Sequence, residues 1–201
     1  VMNGITMCKI LKEDVRTSHI PIILLTAKDS LQDKEEGYQV GADSYLTKPF
    51  SATLLHSRIN NLLESRKRLT ERFNTSTPHH NMDEKRALLA ESLNKLDNEF
   101  IEKINQLIEA RLSSEKIDIG YLADNMCMSK STLYRKMKAL TGLSTNEYVR
   151  KIKMQHAERL LLEGRYNISE VAFRVGINSV VYFRQCFKEE FGVLPSEYLK
   201  Q

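Results

Sequence analysis

The sequence predicts a mixed fold, a truncated α/β portion followed by an all-α domain with two helix-turn-helix units. Three observations carry this expectation. Short strand-like runs alternate with helical spacings over residues 1–65. From residue 97 onward the spacing is helical almost throughout. Within that second part, a set of residues recurs at intervals of 49 and then 50.

The α/β portion reads in order. Gly4–Lys12 has helical spacing, with Ile5, Cys8 and Leu11 on one face. Ile20–Leu25 is a short β-branched run of the kind that parallel sheets bury on both faces. Ser30–Val40 is polar and helical, Gly41-Ala-Asp43 turns the chain, and Ser44–Thr47 is a second short strand. Lys48-Pro-Phe50 then leads into a helix over Leu54–Leu63. Helices alternating with strands imply a parallel sheet. Two strands and three helices are about half of a doubly wound domain. The expectation is therefore that the other half precedes Val1 or comes from another molecule, and that this sequence is a piece of something longer.

Composition narrows the function classes. Of the 201 residues 41% are hydrophobic and 28% charged, an ordinary globular balance. Runs such as Pro21–Leu25 fall far short of the ~20 apolar residues of a membrane span, and no secretory signal opens the chain. Cys8, Cys127 and Cys186 lie far apart with no C-x-x-C, which argues against disulfides and zinc and for a reducing, cytoplasmic setting. Residues 113–201 carry 14 basic against 10 acidic side chains, whereas residues 1–50 carry 6 against 7. The net positive charge thus sits in the helical domain, where an anionic partner such as nucleic acid is expected.

Between the two parts, residues 66–96 read as a partly helical linker. A charge run over Glu64–Arg72 meets the polar breaker Asn74-Thr-Ser-Thr-Pro-His-His-Asn81, and helical spacing resumes at Asp83. His79 and His80 have no partner ligands nearby and read as solvated, not as a metal site. Leu89, Leu93, Leu96, Phe100, Ile104 and Leu107 step by three or four. That stripe is either a dimerising seam or, the favoured reading, the inner face of helices packing on their own domain. Asp97 or Asn98 is the expected cap of a new helix there.

In the repeat, Ile119, Ala123 and Met128 recur as Ile168, Ala172 and Ile177, and Gly142, Glu147 and Tyr148 as Gly192, Glu197 and Tyr198. The step from 49 to 50 places an insertion near the turn or the start of the unit's second helix. In the first unit Asp118 caps Ile119–Met126, Cys127-Met128 turns, and Ser129 caps a helix to about Leu140. Leu133, Met137 and Leu140 must face the core, which leaves Ser131, Tyr134, Arg135 and Lys138 exposed. Such a helix fits a B-DNA major groove, where arginine pairs with guanine O6 and N7. In the second unit Asn167 caps Ile168–Val175 with Glu170 completing a capping box, and Gly176 makes the turn. A helix from about Ser179 to Phe191 buries Phe183, Phe187 and Phe191 and exposes Val181, Arg184, Gln185 and Lys188. Val181 either contacts a thymine methyl or packs against the neighbouring helix. Asn146–Leu162, without Gly or Pro, joins the units as a stiff spacer of roughly 25 Å, against ~34 Å between successive major-groove faces.

At this point two resemblances emerge. Ile119-Gly-Tyr-Leu-Ala-Asp124, Ser129-Lys-Ser-Thr-Leu-Tyr-Arg-Lys136, Ala172-Phe-Arg-Val-Gly176, Tyr182-Phe-Arg-Gln-Cys-Phe-Lys188 and Phe191-Gly-Val-Leu-Pro-Ser-Glu-Tyr198 resemble the AraC/XylS-type DNA-binding domain. The resemblance implies transcription regulation through tandem major-groove sites in double-stranded DNA. It places base readers at Ser131, Tyr134, Arg135, Val181, Arg184 and Gln185, with Thr132, Lys138, Tyr182 and Lys188 completing the DNA-binding set. Where many members have Gly-Phe at the second turn, this chain has Gly176-Ile177.

Residues 1–65 resemble the C-terminal half of a response-regulator receiver, a flavodoxin-like α/β domain. Met2-Asn-Gly4 is similar to the end of the loop after the phosphorylated strand, and Thr26-Ala27 to the switch threonine. Tyr45 matches the switch aromatic and Lys48-Pro49 the phosphate-binding lysine with its cis proline. The family's phosphoacceptor Asp would lie before Val1, with its acidic metal-binding pair further upstream. Asp14, Asp29 and Asp43 sit in helices or turns and do not replace them. The resemblance therefore implies no phosphoryl acceptance and no cofactor here, although an intact receiver would bind Mg, and no catalytic or metal-ligating set is assigned. It also implies a homodimer when the receiver is intact and an upstream histidine kinase domain. That kinase would sit in a separate protein or in the same chain, as in hybrid sensors at a membrane. The competing reading is a phosphoacceptor or dimerisation module whose helical domain mediates protein association.

Overall fold

A computed structural model describes residues 2–27, 37–74, 94–113 and 117–199. Helix α1 (Gly4–Glu13) starts where the Asn3 side chain accepts a hydrogen bond from the Thr6 amide at 2.7 Å. Strands β1 (Ile23–Thr26) and β2 (Ser44–Thr47) pair in parallel, with Leu24 opposite Tyr45 and Thr26 opposite Thr47. Cys8 of α1 closes a small core with Leu24, Ala42 and Tyr45. The expected strand from Ile20 is shorter than the apolar run. Pro21 has no N–H for a ladder, and the chain instead turns over residues 14–20, where Thr17, Ser18 and Ile20 donate to carbonyls three or four residues back.

Helix α2 (Ala52–Asn74) carries the expected Leu54–Leu63 helix onward through the charge run, so a boundary at residue 65 falls inside a continuous helix. Lys67–Glu71 and Glu64–Arg68 are i, i+4 pairs at 3.8 and 3.4 Å, each adding a few tenths of a kcal/mol to an exposed helix. Residues 37–39 are helical, and the rest of the expected Ser30–Val40 helix is mostly outside the described residues. So are His79, His80, the breaker beyond Asn74, the helix start at Asp83, and Leu89 and Leu93.

The helical domain begins with α3 (Lys95–Glu109). Its cap is Asn94, whose side chain accepts from the Asp97 amide at 2.9 Å, and not Asp97 or Asn98. Phe100 and Ile104 are buried in the domain's own core, so this part of the stripe faces inward. There follow α4 (Ile119–Asn125), α5 (Lys130–Thr141), α6 (Thr145–Leu162), α7 (Ile168–Arg174), α8 (Val180–Phe191) and α9 (Pro195–Tyr198). Among the described residues, no helix is long and apolar enough to cross a membrane.

Two separate cores result. Leu122, Leu133, Met137, Tyr148 and Ile152 belong to the first, and Met154, Ala157, Leu161, Val171, Phe183 and Phe187 to the second. Helix α6 is buried on both sides because its first half serves one lobe and its second half the other. Eighteen residues make it roughly 27 Å long. The extra residue of the second repeat is Asn178. Met128 and Ile177, 49 apart, make matching turn hydrogen bonds to Ala123 and Ala172 at 2.9 Å, while the caps Ser129 and Ser179 are 50 apart.

The two turns need the same left-handed residue, and they fill it differently. Gly176 has φ 66°, whereas the exposed Cys127 has φ 53°. A side chain there costs about 1–2 kcal/mol, partly offset because glycine loses more chain entropy on folding. Cys127→Gly is therefore expected to stabilise the protein by about 0.5 kcal/mol. Thermal melts check this, and a loss of stability would contradict it.

Candidate nucleic-acid interface

Helix α5 is set by Ser129, whose hydroxyl accepts from the Thr132 amide at 3.1 Å and lies 2.9 Å from the hydroxyls of Ser131 and Thr132. Leu133, Met137 and Leu140 anchor its inner face. Ser131, Tyr134, Arg135 and Lys138 form an exposed stripe on the other side, with Thr132 half-buried at its edge. The Arg135 Nε donates to the Ser131 carbonyl at 3.3 Å, which orients the guanidinium while leaving further donors for a partner.

Helix α8 repeats the design fifty residues on. Phe183, Cys186 and Phe187 face inward, and Phe191 is only partly covered. Val181, Tyr182, Arg184, Gln185 and Lys188 are exposed. Val181 is 76% exposed, so it does not pack against a neighbouring helix. Gln185 donates to Glu189 at 3.1 Å along the same face. Tyr182 is less free than expected, because its hydroxyl interacts with Cys186 and with the Arg150 guanidinium, the first of which raises its pKa. Arg150 and Lys151 of α6 also approach Glu189 and Glu190 at 3.5 and 3.3 Å. These pairs clip α8 to the spacer helix and fix the angle at which the second stripe is presented.

At the other end of the chain, Thr26 and Lys48 come together at the C-terminal ends of the strands, where the Lys48 amide donates to the Thr26 carbonyl at 2.6 Å. The Lys48–Pro49 peptide is cis. Tyr45 lies inside β2 and is buried, its ring so close to residue 37 that a Cβ there would stand 2.9 Å away. A hydroxyl and an ammonium do not form a donor set for a divalent cation. Asp43 directly precedes β2 and so sits at the opposite, N-terminal end of the sheet. Hydrogen bonds from Arg16 pull the Asp14 carboxyl down to about 2, and Asp43 pairs with Lys12 at 2.7 Å. Among the described residues, no three histidine, cysteine or carboxylate side chains come together to hold a metal ion.

Sequence comparison agrees with this division. The family model of a response regulator receiver domain matches residues 1–60, and that of a helix-turn-helix domain matches residues 122–201. The helical part carries an AraC-type helix-turn-helix domain, and a partial receiver domain precedes it. It is 35% identical over 197 residues to Histidine kinase P4 of Formosa agariphila, a match covering 98% of this chain and 14% of that protein. It is 32% identical over 99 residues to the DNA-binding dual transcriptional regulator Rns of Escherichia coli, covering 49% of this chain and 37% of Rns. Among solved structures, the C-terminal domain of AraT, a response regulator from Geobacillus stearothermophilus, is 31% identical over 50% of this chain and 84% of that one, with a TM-score of 0.46. The chain thus spans well under half the length of the curated relatives it matches.

Two contributors to this AraC-type domain escaped the sequence reading. Arg150 is one, since its partners Tyr182 and Glu189 are distant in sequence. The other is Lys136 of α5, which is fully buried beside Asp97, although its place three residues after Leu133 marks it as core-facing.

Proposed function

We propose that this chain is the output end of a two-component protein, a transcription regulator that acts by binding two tandem major-groove sites. One observation carries the reading. Two helices with equivalent serine caps and matching apolar anchors, Leu133 and Met137 on α5 and Phe183 and Phe187 on α8, expose equivalent stripes, Ser131, Tyr134, Arg135 and Lys138 on α5 and Val181, Arg184, Gln185 and Lys188 on α8. Arginine and glutamine at these positions read guanine and adenine edges, and Val181 offers a methyl-sized contact to thymine. Lys138 and Lys188 supply the sequence-independent attraction to phosphate. The α6 spacer holds the two helices within reach of ~34 Å groove spacing.

Similarity to a histidine kinase along almost the whole chain supports a parent in which kinase, receiver and DNA-binding domain share one cytoplasmic polypeptide. Phosphoryl acceptance and magnesium belong, on this reading, to a complete receiver. Its phosphorylation would pair two DNA-binding domains, so that two weak half-sites act as one tight site through effective concentration.

Two substitutions test the base reading. Arg135→Ala is expected to cost about 1–3 kcal/mol and relax specificity at one base position. Lys138→Ala is expected to weaken binding equally across sequences and reduce the salt slope by about one. Titrations of both variants against a panel of single-base operator changes check this. Identical behaviour of the two variants would overturn the assignment.

A further inference from the structure

We propose that the turn over residues 14–20 of the receiver segment is a docking surface for the back of the first reading helix, with Lys136 and Asp97 as its receptor. Lys136 is 0% exposed, and Ser18, His19 and Asp97 are buried with it. The Lys136 ammonium donates to the Ser18 hydroxyl at 2.9 Å and to Asp97 Oδ1, while Ser18 itself donates to Asp97 Oδ1 at 2.7 Å. Asn94 closes the set from α3, donating to Asp97 Oδ2 at 2.9 Å and to the Ser18 carbonyl at 3.3 Å. Val15 of the same turn packs against the first helical core, and the Phe100 ring lies 4.9 Å from the ammonium.

The internal repeat shows that this arrangement is additional to the helix-turn-helix fold. Fifty residues on, the equivalent of Lys136 is Cys186, an uncharged side chain in an otherwise matching helix. The fold therefore does not require an ammonium at that position. A buried lysine is stable only with its hydrogen bonds satisfied, and here one of its two polar partners comes from the receiver segment. Separated from that segment, Lys136 and Asp97 would face water as a hydrated pair, so neither the docked nor the free state leaves a charge stranded. That property makes the contact reversible.

Two further features fix its direction. The docked side of α5 is the back of the exposed stripe, so the contact mounts the first reading helix without covering Ser131, Tyr134, Arg135 or Lys138. Among the described residues, the hydrophobic neighbours of the second core all come from the helical domain itself. Movement of the receiver segment would then act on the first half-site and leave the second untouched. This last step rests on the DNA-reading assignment; the docking itself does not.

Hydrogen exchange on the full chain tests the docking without DNA. Ser18→Ala removes one hydroxyl from a turn of the receiver segment and leaves every helical-domain side chain in place. The expected result is that exchange accelerates about ten-fold both at the amides of Thr17, Ser18 and Ile20 and in α5, with α8 unchanged. Lys136→Met should reproduce that pattern from the other side, loosening the receiver turn although the substitution lies in α5. Acceleration confined to the turn in Ser18→Ala would overturn the proposal, even if Lys136→Met failed to fold. In a DNA titration, Ser18→Ala should lower affinity for the first motif alone, and a failure there with the exchange result intact would count against base reading and not against docking.

Discussion

Phe187→Ala is expected to destabilise the second helix-turn-helix unit by about 3–5 kcal/mol. The ring is fully buried, and its centroid lies 5.9 Å from that of Phe183, 4.5 Å from Phe191 and 5.6 Å, edge-on, from Tyr198. Aromatic contacts of this geometry add about 0.5–1.5 kcal/mol beyond simple burial, so truncation removes both area and ring contacts. Because, among the described residues, the two cores share only helix α6, the loss should stay in one lobe. Denaturant titration followed by exchange in each lobe should show the second unit opening first, with the first core of Leu122, Leu133 and Met137 still protected. Loss of protection in both lobes together would show that α6 couples them into one cooperative unit.

A second large effect is expected on acidification. Burial, then the Lys136 charge, hold His19 down to about 4, with Arg66 and Lys12 adding to the effect and Asp97 opposing it. These charges reach it from α5, α2, α1 and α3. Among the described residues, His19 Nδ1 has no hydrogen-bond partner, which is consistent with a neutral ring. An unfolded histidine takes its proton near pH 6.5, whereas the folded one does not until about pH 4. Its contribution is thus fully present above pH 6.5 and is lost as pH falls from 6.5 toward 4, by roughly 3 kcal/mol at most. Melts of the parent and His19→Gln between pH 7 and pH 4.5 check the sign. The substitution should flatten the slope in that window, and an unchanged slope would place the titrating group elsewhere.

What was readable in advance was local. The caps Asp118, Ser129 and Asn167 all function as the sequence implies, because a cap and the helix it starts lie within four residues. The reading stripes were legible for the same reason, since helical period alone separates Arg135 from Met137. The capping box Ser144–Glu147 starts α6 at Thr145, ahead of the expected Asn146, and its S-x-x-E pattern is complete in the sequence. Helix α2 outruns the expected Leu54–Leu63 span because the i, i+4 pairs of the charge run support a helix and not a linker. What could not be read was long-range pairing. Lys136 meets Ser18 across 118 residues and Arg150 meets Glu189 across two helices, and no local period announces either. The repeat held the one indirect signal, a lysine where its copy carries cysteine.

On the proposed reading, two equivalent helices read two sites on one face of DNA. Selection of the 201-residue chain against a randomised duplex pool, with affinity followed against salt concentration, tests it most directly. Bipartite reading predicts enrichment of two short motifs about one helical turn apart, with log affinity falling steeply against log salt. Salt-dependent binding with no enriched sequence, or no binding at all, would contradict it.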